Sequence, residues 1–133
     1  MPGCGYGGGV VSRTWEIRLP WTKPPCSAND RDHWRVKARK VGEIRATAER
    51  ACDDYDVRPC DHIAVGLVYV PRDSRRRDPD NLVVPLFKAL VDGVVDAGIV
   101  PDDTPRYVTR EFPVILPPDG DPRLVLTIRE GRP

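Results

Sequence analysis

DHIAVGLVYVPRDSRRRDPDNLVVPLFKALVDGVVDAG, residues 61–98, changes its hydrophobic period halfway along. Its first ten residues are rich in β-branched side chains and stop at Pro71, the pattern of a buried strand. Four arginines and three aspartates follow, within residues 72–80. Beyond them Leu82, Leu86, Leu90, Val94 and Ala97 recur at three- and four-residue spacing, which predicts a helix over 81–97 with its apolar stripe on a core. Asp80 is placed to cap that helix and Gly98 to end it. Pro85 would remove a hydrogen bond from the second turn, so either the helix kinks there or its regular part starts at Pro85. Lys88, Asp92 and Asp96, at steps of four, share the opposite, polar face.

Working outward, TWEIRL at 14–19 alternates apolar and polar residues as a half-buried strand does, and Pro20, Pro24 and Pro25 end it. Residues 32–51 carry Val36, Val41, Ile44 and Ala48 between charges, an amphipathic helix with a basic first half. Tyr107–Val114 and Arg123–Arg129 read as strands joined by the turn-prone PPDGDP. The order strand, helix, strand, helix, strand, strand predicts an α+β (mixed α/β) fold. One small domain is expected at 14–133, with a mixed sheet of about four strands and two main helices, preceded by a mobile Gly-rich leader at 1–13.

Composition narrows the class. A chain of 133 residues, 40% apolar and 31% charged, has the size and balance of one soluble domain, and its fifteen prolines and eleven glycines imply many turns. The longest apolar run, Ile63–Val70, is too short to cross a bilayer, so no membrane association and a cytoplasmic location are expected. Cys4, Cys26, Cys52 and Cys60 form no CxxC pair, which argues against a structural zinc site. With a net charge of +1 no whole-protein field attracts a polyanion, so any such site must be local. Basic residues do cluster, at Arg31, Arg35, Lys37, Arg39 and Lys40 and again at Arg72, Arg75, Arg76 and Arg77.

The concentration of opposite charges at 75–103 asks for an explanation. Asp78 and Asp80 flank Pro79 and can aim two carboxylates the same way. Asp102 and Asp103 lie past the other end of the predicted helix, roughly 25 Å away along its axis. They reach the first pair only if the chain runs back along the helix or if two chains pair. Clustered carboxylates are stable together beside a cation, and an all-oxygen site suits Mg2+ or Mn2+. Neighbouring arginines would bring a phosphate to such an ion, and Lys88 can neutralise charge developing on it. The plainer alternative is a solvated network of arginine–aspartate pairs, each contributing little.

Other side chains carry weaker signals. His33 and His62 sit in no ligand spacing and are expected at the surface or hydrogen-bonded. Ser27 and Asn29 can bond a DNA phosphate or order their own turn, and Trp15, Trp21 and Trp34 are expected in the core rather than stacked on bases.

The segment RRRDPDNL at 75–82, with Lys88, Ala89, Asp92, the AG at 97–98 and the DD at 102–103, resembles the RusA family of Holliday-junction resolvases. IRLPW at 17–21 and SANDRDHWR at 27–35 are similar to the strand and S-x-N loop that open that family's domain. The resemblance covers about residues 14–129 and implies a RusA-like fold. It also implies a structure-selective endonuclease: a homodimer that binds four-way DNA junctions and, with magnesium or manganese, cuts two opposed strands symmetrically, in a bacterial cell or a phage-infected host. Carried over residue by residue, Asp78, Asp80 and Asp103 are the catalytic, metal-holding carboxylates and Lys88 the catalytic lysine. Arg75, Arg76 and Arg77, with Ser27, Asn29, Arg35 and Lys37, are the expected DNA-binding residues. One departure stands out: VVPL inserts four residues before Lys88, moving it about 6 Å along the helix while keeping its face. Rival readings are a nuclease acting mainly on other branched DNA, a junction-binding protein without catalysis, and a D-x-D glycosyltransferase, for which the chain is short.

Overall fold

A five-stranded mixed sheet stands at the centre of the computed structural model, which describes residues 12–131. The elements are β1 (Thr14–Arg18), α1 (Trp34–Asp54), β2 (Ile63–Val70), α2 (Lys88–Asp96), β3 (Val108–Arg110), β4 (Val114–Ile115) and β5 (Arg123–Glu130). β5 lies between β1 and β2 and runs antiparallel to both. β2 continues in parallel pairing with β3 and then β4, so β2–α2–β3 is a parallel crossover. The α+β class and two-helix count hold, with one strand more than expected. The leader falls almost wholly outside the described residues, and Arg13 at its end bonds Glu130 through both backbone and side chain.

β2 explains why its sequence is nearly all apolar: it is the central strand, with neighbours on both edges, and six of its eight residues are buried. β5 alternates, Leu124, Leu126 and Ile128 being fully buried while Val125 and Thr127 turn to the other face. Together with Ile17, Ile63, Val65 and Leu67 they form one core with Ile44, Ala48 and Cys52 of α1 and Leu90, Val91 and Val94 of α2. Each large apolar side chain so buried contributes roughly 1.5–3 kcal/mol. The helices approach closely at Gly93. A Cβ there would stand 2.3 Å from the Arg45 carbonyl oxygen and 2.6 Å from Ala48 Cβ.

Three local expectations need correction. The strand expected over Tyr107–Val114 is split into β3 and β4, because Val65 pairs with Arg110 but Val68 pairs with Val114, leaving one extra residue on the outer strand. That bulge holds Pro113, which has no N–H to give the ladder, and folds Glu111 over Gly66 to bond Arg129. The first long helix runs two to three residues later than expected, from Trp34 to Asp54. Asp32 stays outside it, paired with Lys40 at 2.6 Å, and His33 Nδ1 caps the helix by accepting from the Arg35 N–H.

The helix expected over 81–97 is not continuous. A 3-10 turn (Pro79–Leu82) and a π turn (Val83–Phe87) precede α2, and Val84 inside the second is extended at φ −128° and ψ 131°. A residue before proline is driven out of the helical region, so Pro85 sets the break, and the chain is helical again beyond it. Asp80 caps nothing: Asp78 is the capping residue, its Oδ1 accepting from the Asp80 N–H at 2.9 Å. Gly98 does end the helix, at φ +80° with its N–H on the Val95 carbonyl.

Candidate functional site

Beyond the carboxyl ends of β2 and β4 the surface opens into a cleft of about 1090 Å³. Open sheets with parallel strands bind ligands at that end, where loops rather than paired backbone face outward. The loop after β2 supplies Arg72, Arg75, Arg76, Arg77, Asp78 and Asn81 to its lining. The loop after β1 supplies Lys23 and Ser27. A hydrogen bond from the Ala28 N–H to the Asn81 carbonyl ties the two loops together. Two separate sequence signals, the arginine run and the S-x-N segment, thus meet in one cavity.

The four guanidiniums do different work. Arg77 is held from all sides: it donates to the carbonyls of Asp73 (2.8 Å) and Arg75 (2.9 Å) and to Asp73 Oδ1 (2.8 Å), and lies over the Tyr69 ring at 5.8 Å. Its side chain is 19% exposed. Arg72 and Arg75 only graze Asp73, at 3.6 and 3.8 Å, and are 76% and 69% exposed. Arg76 is exposed and forms no ion pair among the described residues. The hydrogen bond from Arg77, with the Arg75 N–H and the neighbouring positive charges, holds the Asp73 carboxyl below the usual carboxylate range. One carboxylate is set among four guanidiniums, so the cleft keeps an excess of positive charge.

Sequence reasoning missed Asp73, Lys23 and the site role of Arg72. Asp73 carried a signal, as the only acid within the run 72–77, but its structural use shows only once the loop folds back on it. Ser27 is a turn residue, taking the Asn29 N–H at 3.1 Å on its hydroxyl, yet it also lines the cleft. Asn29 and Lys37 line a second depression of about 650 Å³ with Arg31 and Asp32. Arg35 lies outside both, against Trp34.

The acidic residues are only partly gathered. Asp78 lines the cleft and Asp80 stands exposed two residues on, its carboxylate accepting no hydrogen bond among the described residues. Lys88 is exposed at the start of α2, 3.2 Å from Asp92, and is not part of the lining. Asp103 is elsewhere: its carboxylate pairs with Arg110 at 3.1 Å, and Arg110 stands beside Val65 in the first half of β2. Asp102 accepts the Asp103 N–H at 2.6 Å. Among the described residues of one chain, no three histidines, cysteines or acids come together as metal ligands. Asp78 and Asp80 alone suit a hard divalent ion in part, since Mg2+ is commonly held by one or two carboxylates and completed by substrate phosphates and water.

The histidines stay out of the cleft. His62 is buried, bonded to the Arg106 carbonyl and Thr109 Oγ1 at 2.8 Å each, while His33 is the exposed helix cap. Trp15 and Trp21 pack against the core, but Trp34 is 66% exposed, contrary to the expectation for all three. No helix among the described residues is long and apolar enough to cross a membrane. No family model matches this chain, and no curated protein matches it.

Proposed function

We propose that the chain is a metal-dependent endonuclease of branched DNA, of the RusA type, resolving four-way junctions as a homodimer. The observation that carries this reading is the cleft itself, where loosely held guanidiniums and the Asp78 carboxylate are presented side by side at the end of the sheet, with the exposed Asp80 two residues on. Arg72, Arg75 and Arg76 have geometry suited to bidentate phosphate contacts; Arg72 and Arg75 pair only weakly with Asp73 and Arg76 forms no ion pair among the described residues, so all three are readily recruited. Arg77 and Asp73 keep the loop in shape. Asp78 and Asp80 would hold Mg2+ or Mn2+, with Asp103 of a second chain as the third carboxylate. That ion would polarise the phosphodiester and lower the pKa of a bound water. Lys88, on the polar face of α2, would offset negative charge near the attacked phosphate. Two equivalent sites related by a two-fold axis would match two nicks on opposed strands.

A junction-binding protein without catalysis is the second reading, and the pairing of Asp103 with Arg110 away from Asp78 favours it. One experiment separates them. Purified protein is incubated with a labelled four-way junction, a forked duplex and a matched linear duplex, with magnesium and with EDTA. Symmetric nicks in the junction that require magnesium are expected. Junction binding without nicks would leave the binding-only reading, and preference for the fork would move the substrate to other branched DNA.

A further inference from the structure

Trp34 is an indole two-thirds in water, at the first residue of α1, where the core gains nothing from it. The Arg35 guanidinium lies over its ring at 5.2 Å from the centroid, and the His33 ring is tilted against it at 5.6 Å. One turn on, Lys37 shares its helix face and lines the depression that also holds Arg31 and Asn29. The acids nearby are already engaged: Asp32 with Lys40 at 2.6 Å, and Asp30 with the Ser27 N–H at 3.0 Å. Arg31, Arg35 and Lys37 form no ion pair among the described residues. The 27–32 loop lies between this depression and the arginine cleft, Ser27 lining one and Ala28 the other.

From this arrangement we infer that Trp34 is a stacking platform for an unpaired nucleobase, with Arg31, Arg35 and Lys37 on the phosphates flanking that base. The inference rests on the nucleic-acid reading of the cleft and adds what that reading lacks, a residue that distinguishes DNA with unstacked bases from closed duplex. In a closed duplex each base face is covered by its neighbour, so an indole finds only phosphate and sugar. At a branch point or in a single strand a base face is open, and an aromatic ring beside cations binds it with little regard to sequence. A bare hydrophobic contact for another protein would have no need of three unpaired cations around it.

The test uses the full chain in EDTA, so that binding is read without cleavage. Ligands are an oligo-dT strand, a four-way junction, and a relaxed, covalently closed circular duplex that has neither loops nor ends. Trp34→Ala is expected to weaken the oligo-dT complex by about 5- to 150-fold and the junction complex in the same direction. Trp34→Phe is expected to keep most of the affinity, and the circular duplex should bind all three proteins alike. Oligo-dT should quench part of the tryptophan emission of the wild type, and that part should vanish in Trp34→Phe while Trp15 and Trp21 still emit. Equal losses on all three ligands, no loss on any, or quenching that persists in Trp34→Phe would overturn the inference while leaving the cleft intact. So would a Trp34→Ala protein whose only change is its mass without DNA, which would mark a self-association surface. A wild-type chain that binds none of the three at low salt would overturn both this inference and the reading beneath it.

Discussion

Replacing Arg72, Arg75 and Arg76 together by alanine is expected to flatten the salt dependence of junction binding, and the geometry of the loop sets by how much. Among the described residues these three guanidiniums have no short hydrogen bond, the nearest carboxylate oxygens being 3.6 and 3.8 Å away for Arg72 and Arg75. Each phosphate neutralised on B-DNA contributes about 0.9 to the slope of log affinity against log salt, so losing three contacts removes about 2.7. Between 50 and 200 mM salt that difference changes the ratio of wild-type to variant affinity by about 40-fold. Arg77→Ala is the control. Its guanidinium is committed to Asp73 and to two carbonyls, so its loss should weaken binding at every salt concentration by loosening the loop, with a slope change below that of a single phosphate contact. Anisotropy of a labelled junction in EDTA reads both. A triple variant with the wild-type slope, or an Arg77→Ala variant that alone reproduces the flattening, would refute the division of labour within the loop.

Gly93→Ala should destabilise the fold by about 1–3 kcal/mol even though alanine favours a helix, because its methyl meets the Arg45 carbonyl oxygen and Ala48; denaturant unfolding measures it, and an unchanged midpoint would contradict the close crossing of α1 and α2. The Asp73 carboxyl is held low by Arg77, so its contribution to loop order is present above the ordinary carboxylate value near ~3.9 and is lost as pH falls through its depressed folded value. A carbon-detected NMR titration should show that low midpoint, rising toward the ordinary value in Arg77→Ala. Light scattering under nicking conditions should give a mass near twice 14.9 kDa, and a concentration-independent monomer would exclude the proposed dimer.

Periodicity is a local property, and the features legible in the sequence are those that period and punctuation encode. The apolar run 63–70 is the central strand, the stripe through Leu90 and Val94 is the core face of α2, continued by Leu86 in the turn before it, and Gly98 ends that helix. What escapes a reading by period depends on contacts between segments. Gly93 looks like a weak point in a helix until α1 lies against it. Asp73 looks like one more charge until Arg77 folds back onto it. Pro113 is a signal for the break between β3 and β4, outweighed by the apolar residues around it. Trp34 reads as a core residue because tryptophans mostly are and because it is in phase with the apolar stripe of Ile44, Ala48 and Cys52, yet as the first residue of α1 it lies about three turns before Ile44 and stays two-thirds exposed. For the site, the meeting of the arginine loop with Ser27 cannot be read from spacing, since about fifty residues separate them and only the sheet brings them together.

The position of Asp103 makes the sharpest demand on the proposed mechanism. Arg110, which holds it, pairs with Val65, while Asp78 follows the end of β2 at Val70, so about 16 Å of strand separates those two levels of the sheet. A three-carboxylate site is therefore expected to form across two chains, Asp103 of each joining Asp78 and Asp80 of the other. Asp80→Asn and Asp103→Asn should each lower nicking by at least ~10²-fold, since each removes a charge that would hold the metal. Their mixture then discriminates. In a mixed dimer with shared sites, one site carries both lesions and the other carries none, so activity should return to the level of a single intact site. If each chain builds its own site, both sites of the mixed dimer carry one lesion and no activity returns. The two variants are co-refolded so that chains exchange, and nicking of one junction strand is measured against each parent. Recovery of single-strand nicking supports the shared site. Mixtures as inactive as their parents, with junction binding retained, would place all three carboxylates within one chain, and near-normal nicking by the Asp103→Asn parent would remove Asp103 from the chemistry.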